Sequence, residues 1–207
     1  MSYKNDIVLI GDSNTVRLGE IAQGEDGLTF MGIKGANLFR NYNEISKLSK
    51  NVPDNADVVL YFGNEVDTAA NDYKVTNILM GRDHLSSKLY NGLLTKNKIR
   101  PNDPLLILNY YHGKLLRVCK DTLARYVLCL RRFISELPHI NQASIILMGP
   151  RAKKIEYHNI LVNLITYYIN MELKKMIAND PGQISSNVVI KYIDFFSRTS
   201  QQEFGIT

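Results

Sequence analysis

The chain has 207 residues, of which 45% are hydrophobic and 22% are charged, and its formal net charge is +5 at pH 7. This length and composition predict one hydrophobic core and a single domain over residues 1–207. The basic residues are spread among acidic ones, as is typical of solvated helix faces, which argues against nucleic acid as a partner. One denser basic patch, Arg151–Lys154, leaves a phosphate contact as a weaker hypothesis.

The two cysteines and the polar amino-terminal residues predict a cytoplasmic protein. Cys119 and Cys129 fall in one predicted helix, about 15 Å apart, which is too far for a disulfide. Residues 1–6 are polar, and no apolar run reaches the ~18 residues of a membrane span. Histidine and cysteine spacing shows no metal-ligand pattern, and no nucleotide-binding glycine motif is present, so neither a metal nor a cofactor is predicted.

Apolar segments that predict strands alternate with segments of helical spacing. The first strand is predicted at Ile7–Ile10, and later ones lie at Thr29–Ile33, Val58–Phe62, Leu105–Leu108, Ile145–Met148 and Val188–Ile193. Helical spacing links Leu38 with Tyr42, Ile45 and Leu48, and also Leu123 with Val127, Leu130, Ile134 and Leu137. This alternation predicts a three-layer α/β domain with a doubly wound parallel sheet of about five main strands. Turn-prone residues over 68–117 predict an insertion after the third main strand, and Leu105–Leu108 is its extra strand.

Ser13 follows the first strand directly, in Gly11-Asp12-Ser13. Gly11 is expected to let the backbone turn sharply at the strand end. Ser13 then lies at the carboxyl edge of the sheet, where open α/β folds bind ligands, and is a candidate nucleophile. The alternative is an ordinary turn in which Ser13 caps the following helix.

Glycine and amide residues follow the next two strands. Gly35 lies in a turn after the second strand, and Asn64 follows Gly63 after the third. Because the ends of neighbouring parallel strands converge, Ser13, Gly35 and Asn64 are expected around one point. Backbone N–H groups and an amide side chain there would stabilise an oxyanion. The alternatives are a helix-entry turn for Gly35 and a helix cap for Asn64.

These segments resemble the conserved blocks of the SGNH, or GDSL-type, hydrolase family. Gly11-Asp12-Ser13 resembles the first block, Gly35 the second, and Gly63-Asn64-Glu65 the third, which is usually Gly-x-Asn-Asp; here the asparagine comes one residue early. Residues 144–150 and 191–197 are similar to later family strands. The resemblance runs from about residue 6 to 197, apart from 68–117. It implies a flavodoxin-like sheet and a serine that attacks esters, thioesters or acetyl groups on small molecules and glycans.

The candidate base is the largest departure from the family pattern. The family's last block, Asp-x-x-His, would follow the last strand, and residues 195–207 contain no histidine. A serine nucleophile needs a base. His84 is the first candidate, because Asp83–Ser86 resembles the family's terminal histidine segment moved into the insertion; the alternative is a surface residue at a helix start. His112, at a predicted strand end, is the second, with a loop histidine as its alternative. Asp67 and Asp194 are candidates to orient the base.

Two functions follow from this pattern. The first is a serine esterase or acetylhydrolase that acts on a small-molecule or glycan ester through a covalent acyl-enzyme. The second is a catalytically degenerate SGNH-like protein that binds a protein partner, acts as a scaffold or self-assembles. The missing last block and the displaced Asn64 favour the second function.

Overall fold

The computed structural model describes residues 6–22, 26–63, 65–71, 112–147 and 157–194. The five strands are β1 (Ile7–Gly11), β2 (Leu28–Gly32), β3 (Asp57–Tyr61), β4 (Gln142–Leu147) and β5 (Val189–Asp194). The helices are α1 (Ser13–Ile21), α2 (Tyr42–Ser46), α3 (residues 65–71), α4 (His112–Ser135) and α5 (Tyr157–Asn179). Short 3-10 helices cover Lys47–Asn51 and Pro181–Gln183.

The five strands form one parallel sheet in the order β2-β1-β3-β4-β5. Helices flank the sheet, which confirms the predicted three-layer α/β fold. The chain leaves β1 toward one edge to form β2 and then crosses to the other side of β1 to form β3. This reversal gives the flavodoxin-like strand order and places a topological switch point at the carboxyl end of β1.

The core forms where apolar side chains of the sheet meet the helices. Val8 and Ile10 of β1 and Val58 and Leu60 of β3 are fully buried, as expected for inner strands of a parallel sheet covered on both faces. The apolar stripe predicted through Leu123 is buried in part, at Leu123, Leu130 and Ile134 of α4. Helix α5 buries a second stripe, formed by Leu164, Ile165, Ile169 and Leu173.

Both cysteines lie in α4 and are free thiols, as predicted. Cys119 is fully buried, and burial raises the pKa of its thiol to about 12. A thiol at this position is therefore neutral and packs as a small apolar side chain.

Two local predictions are wrong. Leu38 lies in a turn before α2, because the Asn37 side chain accepts hydrogen bonds from Phe39 N (2.9 Å) and Arg40 N (3.2 Å) and closes a local turn there. His112 begins helix α4 and does not end a strand. The reason is the helical spacing that starts just after it, with Leu115 and Cys119 four residues apart and both buried.

The predicted insertion at 68–117 overlaps two helices. Residues 68–71 belong to α3, and residues 112–117 belong to α4. Residues 72–111, with the predicted strand Leu105–Leu108, lie outside the described residues, and so does the basic patch Arg151–Lys154. Among the helices that the structure describes, none combines the length and the apolar character needed to cross a membrane.

Candidate active site

The carboxyl ends of β1, β2 and β3 meet at the switch point. Gly11 pairs with Gly32 on one side and with Tyr61 on the other. The Gly11 carbonyl accepts a hydrogen bond from Ile33 N (3.1 Å), and Asp12 N donates to the Tyr61 carbonyl (3.2 Å). The three chain segments that sequence analysis singled out therefore leave the sheet side by side.

Position 11 requires glycine because no room exists for a Cβ atom, and not because the backbone turns there. Its φ is not in the left-handed region that Gly27 and Gly35 occupy. A Cβ at this position would lie 2.0 Å from the Tyr61 carbonyl oxygen and 2.4 Å from Thr15 Oγ1. The expected sharp turn at Gly11 is thus replaced by a close approach of β1, β3 and the first turn of α1.

Asp12 joins the first and third segments. Its side chain is fully buried, one carboxylate oxygen accepts from Asn14 N (2.8 Å), and the other accepts from Gly63 N (2.8 Å). Asp12, and not Ser13, is therefore the N-cap of α1. Ser13 was the capping residue predicted as the alternative, although aspartate caps helices equally well.

Ser13 is the first residue of α1 and is half-buried. At this position its N–H has no acceptor within the helix. Within the described parts of the chain, no side chain or backbone group forms a hydrogen bond with its hydroxyl. The positive end of the dipole of α1 lies at this point. It stabilises negative charge there, such as the charge of an alkoxide or an oxyanion.

Gly35 lies in an exposed turn after β2. The turn is closed by a hydrogen bond from Ala36 N to the Ile33 carbonyl (3.1 Å). The φ of Gly35 is +72°, and a Cβ there would meet nothing within 4 Å, so glycine serves the backbone conformation. Its N–H donates to no acceptor in the described segments and is available to a ligand.

The far end of this turn is attached to α3. Leu38 N donates to Glu65 Oε1 (2.5 Å), and Asn37 Nδ2 donates to Thr68 Oγ1 (2.9 Å). Glu65 is fully buried, and its other oxygen, Oε2, has no hydrogen-bond partner among the described residues. Burial raises the pKa of Glu65 to about 7, and repulsion from Asp12 and Asp67 adds to the rise.

Glu65 was not among the predicted site residues, although it belongs to the Gly63-Asn64-Glu65 motif. A signal was available, because Glu65 comes shortly after a predicted buried strand and acidic residues are enriched in the first turn of a helix. Its partner, Leu38, lies 27 residues away and was predicted in a helix, so the contact itself was not foreseeable.

Tyr126 of α4 lies fully buried near the end of β3. Its hydroxyl donates to the Phe62 carbonyl (3.1 Å). Burial, together with the nearby Glu65 and Asp12, raises the pKa of Tyr126 well above its usual value, so the hydroxyl remains a donor.

Replacing Tyr126 with phenylalanine should lower the free energy of unfolding by about 1 kcal/mol, because the buried Phe62 carbonyl loses its donor. Urea unfolding would measure the change. Tyr192→Phe is the matched control, since Tyr192 is 42% exposed and is expected to change stability by less than about 0.5 kcal/mol. Equal effects of the two substitutions would contradict the role of the hydrogen bond.

The other predicted site residues are placed as follows. Asn64 and His84 lie outside the described residues, and of His112 only its position at the start of α4 is described. Asp67 is half-buried in α3, close enough to Glu65 to affect its ionisation. Asp194 ends β5, where Lys174 of α5 donates to its carboxylate. The strands β3 and β4 lie between β5 and β1, so Asp194 itself is not at the switch point.

The described residues contain no group of three or more histidine, cysteine, aspartate or glutamate side chains placed to hold a metal ion. His139 lies at the opposite edge of the sheet, before β4, where its carbonyl accepts from Asn55 N (2.7 Å). Among the described residues, the polar groups that lie at the ends of β1, β2 and β3 include the Ser13 hydroxyl, the N–H groups of Ser13 and Gly35, and the Asp12 and Glu65 carboxyl groups.

No protein-family model and no curated protein matches the sequence. Solved structures that are similar to this chain include the following two. One is a member of the lipolytic protein G-D-S-L family from Veillonella parvula, with 16% identity and a TM-score of 0.46 over 97% of this chain and 83% of that one. The other is the C-terminal catalytic domain of peptidoglycan O-acetyltransferase A from Streptococcus pneumoniae, solved with a methylsulfonyl adduct. Its identity is 12% and its TM-score 0.41, over 98% of this chain and 77% of that one. Because both TM-scores are below 0.5, neither structure bears on the activity of this chain.

Proposed function

We propose that this protein is a serine esterase or acetylhydrolase of SGNH type that acts on a small-molecule or glycan ester. The observation that carries the proposal is the placement of Ser13. It is the first residue of α1, at the end of the inner strand β1 and at the topological switch point of the sheet. Asp12 supports this placement from the buried side, since it caps α1 and binds Gly63 N at once.

The proposed reaction is acyl transfer in two steps. Ser13 Oγ attacks the ester carbonyl, a base accepts the hydroxyl proton, and the alcohol leaves with that proton as the acyl-enzyme forms. A water molecule, activated by the same base, then attacks the acyl-enzyme and releases the acid and the free serine. His84 is the first candidate for the base and His112 the second, with Asp67 or Asp194 as the orienting carboxylate.

The oxyanion formed in each step would be held by the N–H groups of Ser13 and Gly35 and by the Asn64 amide. The Ser13 N–H is a helix-end donor, and neither it nor the Gly35 N–H has an acceptor in the described segments. Both donors belong to segments that hydrogen bonds hold at the switch point, which supports this assignment. One such donor contributes about a hundredfold to a thousandfold in rate.

The alternative is a binding or scaffold protein with the same fold but without turnover. The position of Asn64 favours it, because this asparagine comes one residue earlier than in the family's third block. The two functions differ in whether Ser13 is activated.

Labelling with a fluorophosphonate probe tests this difference. We expect the parent protein to be labelled, Ser13→Ala to give background signal, and His84→Ala to react at least about a hundredfold more slowly. Ser46→Ala is the matched control and should label like the parent; Ser46 lies in a short helix, where its hydroxyl donates to the Asn43 carbonyl (3.3 Å). If the folded parent takes no label, or if Ser13→Ala labels like the parent, the result contradicts the esterase function and favours the binding function.

A further inference from the structure

We propose that Glu65 is a positioning residue for this acyl transfer, because it holds the turn that carries Gly35 through the N–H of Leu38. The inference rests on the proposed function, since the position of Gly35 N–H matters for catalysis only if an oxyanion forms beside Ser13. Glu65 itself touches no reacting atom in this proposal.

The turn from residue 33 to residue 38 is held at its two ends. At the first end, Ile33 N donates to the Gly11 carbonyl (3.1 Å), which joins the turn to β1 next to Ser13. At the second end, Leu38 N donates to Glu65 Oε1 (2.5 Å), which joins the turn to α3. Gly35 lies between these contacts and is exposed, and a Cβ added to it would have no neighbour within 4 Å. The hydrogen bond from Ala36 N to the Ile33 carbonyl (3.1 Å) closes the turn, and the two end contacts fix its orientation relative to β1 and α3. All three contacts therefore set where the Gly35 N–H points.

Burial of the Glu65 carboxyl group beside Leu38 N is energetically unfavourable. Glu65 is fully buried, and only one of its two oxygens has a hydrogen-bond partner among the described residues. Burying a polar atom without a partner costs about 1–3 kcal/mol. The bond from Asn37 to Thr68 already links the same turn to the same helix with neutral side chains. Attachment alone thus does not require a carboxylate, and a role in positioning explains its presence.

The groups around Glu65 make its charge variable near neutral pH. Asp12 faces it from the β1–α1 junction, Asp67 from its own helix, and Tyr126 and Cys129 from α4. Burial and repulsion from the two aspartates raise the pKa of Glu65 to about 7. An ionised carboxylate accepts a shorter and stronger hydrogen bond than a neutral carboxyl group. The hydrogen bond from Leu38 N to Glu65 therefore changes in strength as Glu65 titrates.

Steady-state hydrolysis of an acetyl ester by the parent, Glu65→Leu and Glu65→Gln proteins tests this role. We expect Glu65→Leu to lower kcat about tenfold or more with KM changed by less than about twofold, because a displaced oxyanion donor affects the transition state and not substrate binding. Glu65→Gln keeps an acceptor for Leu38 N and should recover most of kcat at about pH 6. Its pH profile should lack one ionisation near pH 7 that the parent shows.

Asp57→Asn is the matched control. Asp57 is also an acidic residue, and its Oδ1 is buried without a partner among the described residues, but it lies at the amino end of β3, away from the switch point. Its pH profile should coincide with that of the parent. If Glu65→Leu has the kcat of the parent while turnover still requires Ser13, the positioning role is wrong and the proposed function stands. A parent protein without turnover overturns the proposed function and the positioning role together.

The contact itself can be followed without turnover in ¹H–¹⁵N spectra of the folded proteins. The Leu38 amide shift should titrate with a midpoint near pH 7 in the parent and should not titrate in Glu65→Gln. A Leu38 shift that stays constant through this range in the parent would overturn the proposal even if Glu65→Leu fails to fold.

Discussion

Replacing Glu65 with glutamine is expected to stabilise the protein at about pH 8 and to leave its stability near pH 4 almost unchanged. A carboxyl group whose pKa is higher in the folded than in the unfolded state favours folding most below its unfolded pKa. That contribution is lost as the pH rises through the folded pKa. For Glu65 the relevant window runs from its ordinary pKa of 4.5 to about 7.

The size of this effect follows from the pKa difference. A difference of one in pKa corresponds to ~1.4 kcal/mol, so the rise from 4.5 to about 7 corresponds to about 3 kcal/mol. Glutamine resembles the protonated acid, because it keeps the acceptor for Leu38 N and carries no charge to bury. Above pH 7 the Glu65→Gln protein should therefore be more stable than the parent by about 3 kcal/mol, or about 6–12 °C in Tm.

Urea unfolding of both proteins at several pH values would measure this difference directly. The difference in free energy of unfolding should grow steadily between about pH 4.5 and pH 7 and then level off. A constant difference between the parent and Glu65→Gln across the whole range would contradict the raised pKa of Glu65.

Replacing Gly11 with alanine is expected to lower the free energy of unfolding by about 3 kcal/mol, at the upper end of the cost of overpacking. The new Cβ would lie 2.0 Å from the Tyr61 carbonyl oxygen and 2.4 Å from Thr15 Oγ1. The first neighbour is backbone of β3 and cannot rotate away, so β1 and β3 would have to separate at the end where Ser13 lies. Probe labelling of the folded fraction should fall as well.

Gly35→Ala provides the comparison for Gly11→Ala. A Cβ at Gly35 meets nothing within 4 Å, and the cost comes only from a φ of +72°, which is about 1–2 kcal/mol for an L-residue. Thermal or urea unfolding of the two variants would separate the effects. If Gly11→Ala is no more destabilising than Gly35→Ala, the close approach of β1 to β3 is not as tight as the structure shows.

The sequence by itself determined the fold class. Apolar runs such as Ile7–Ile10 and helical stripes such as the one through Leu123 and Leu130 depend on residues close in the chain, so their periodicity could be read without a structure. The same local reasoning placed Ser13 just after a strand. It failed at Leu38, where the Asn37 side chain replaced a helix with a turn, and at His112, where a helix begins.

The tertiary structure decided how the candidate site is held together. Asp12 contacts Gly63 N across 51 residues, and Glu65 contacts Leu38 N across 27 residues. No local pattern specifies such pairs, because the partners meet only when β1, β2 and β3 align in one sheet. The burial that raises the pKa of Glu65 also comes from that assembly, since the groups around it belong to the β1–α1 junction, α3 and α4. The chemistry of each residue can thus be read from the sequence, whereas its charge, partner and exposure follow from the packing of distant segments.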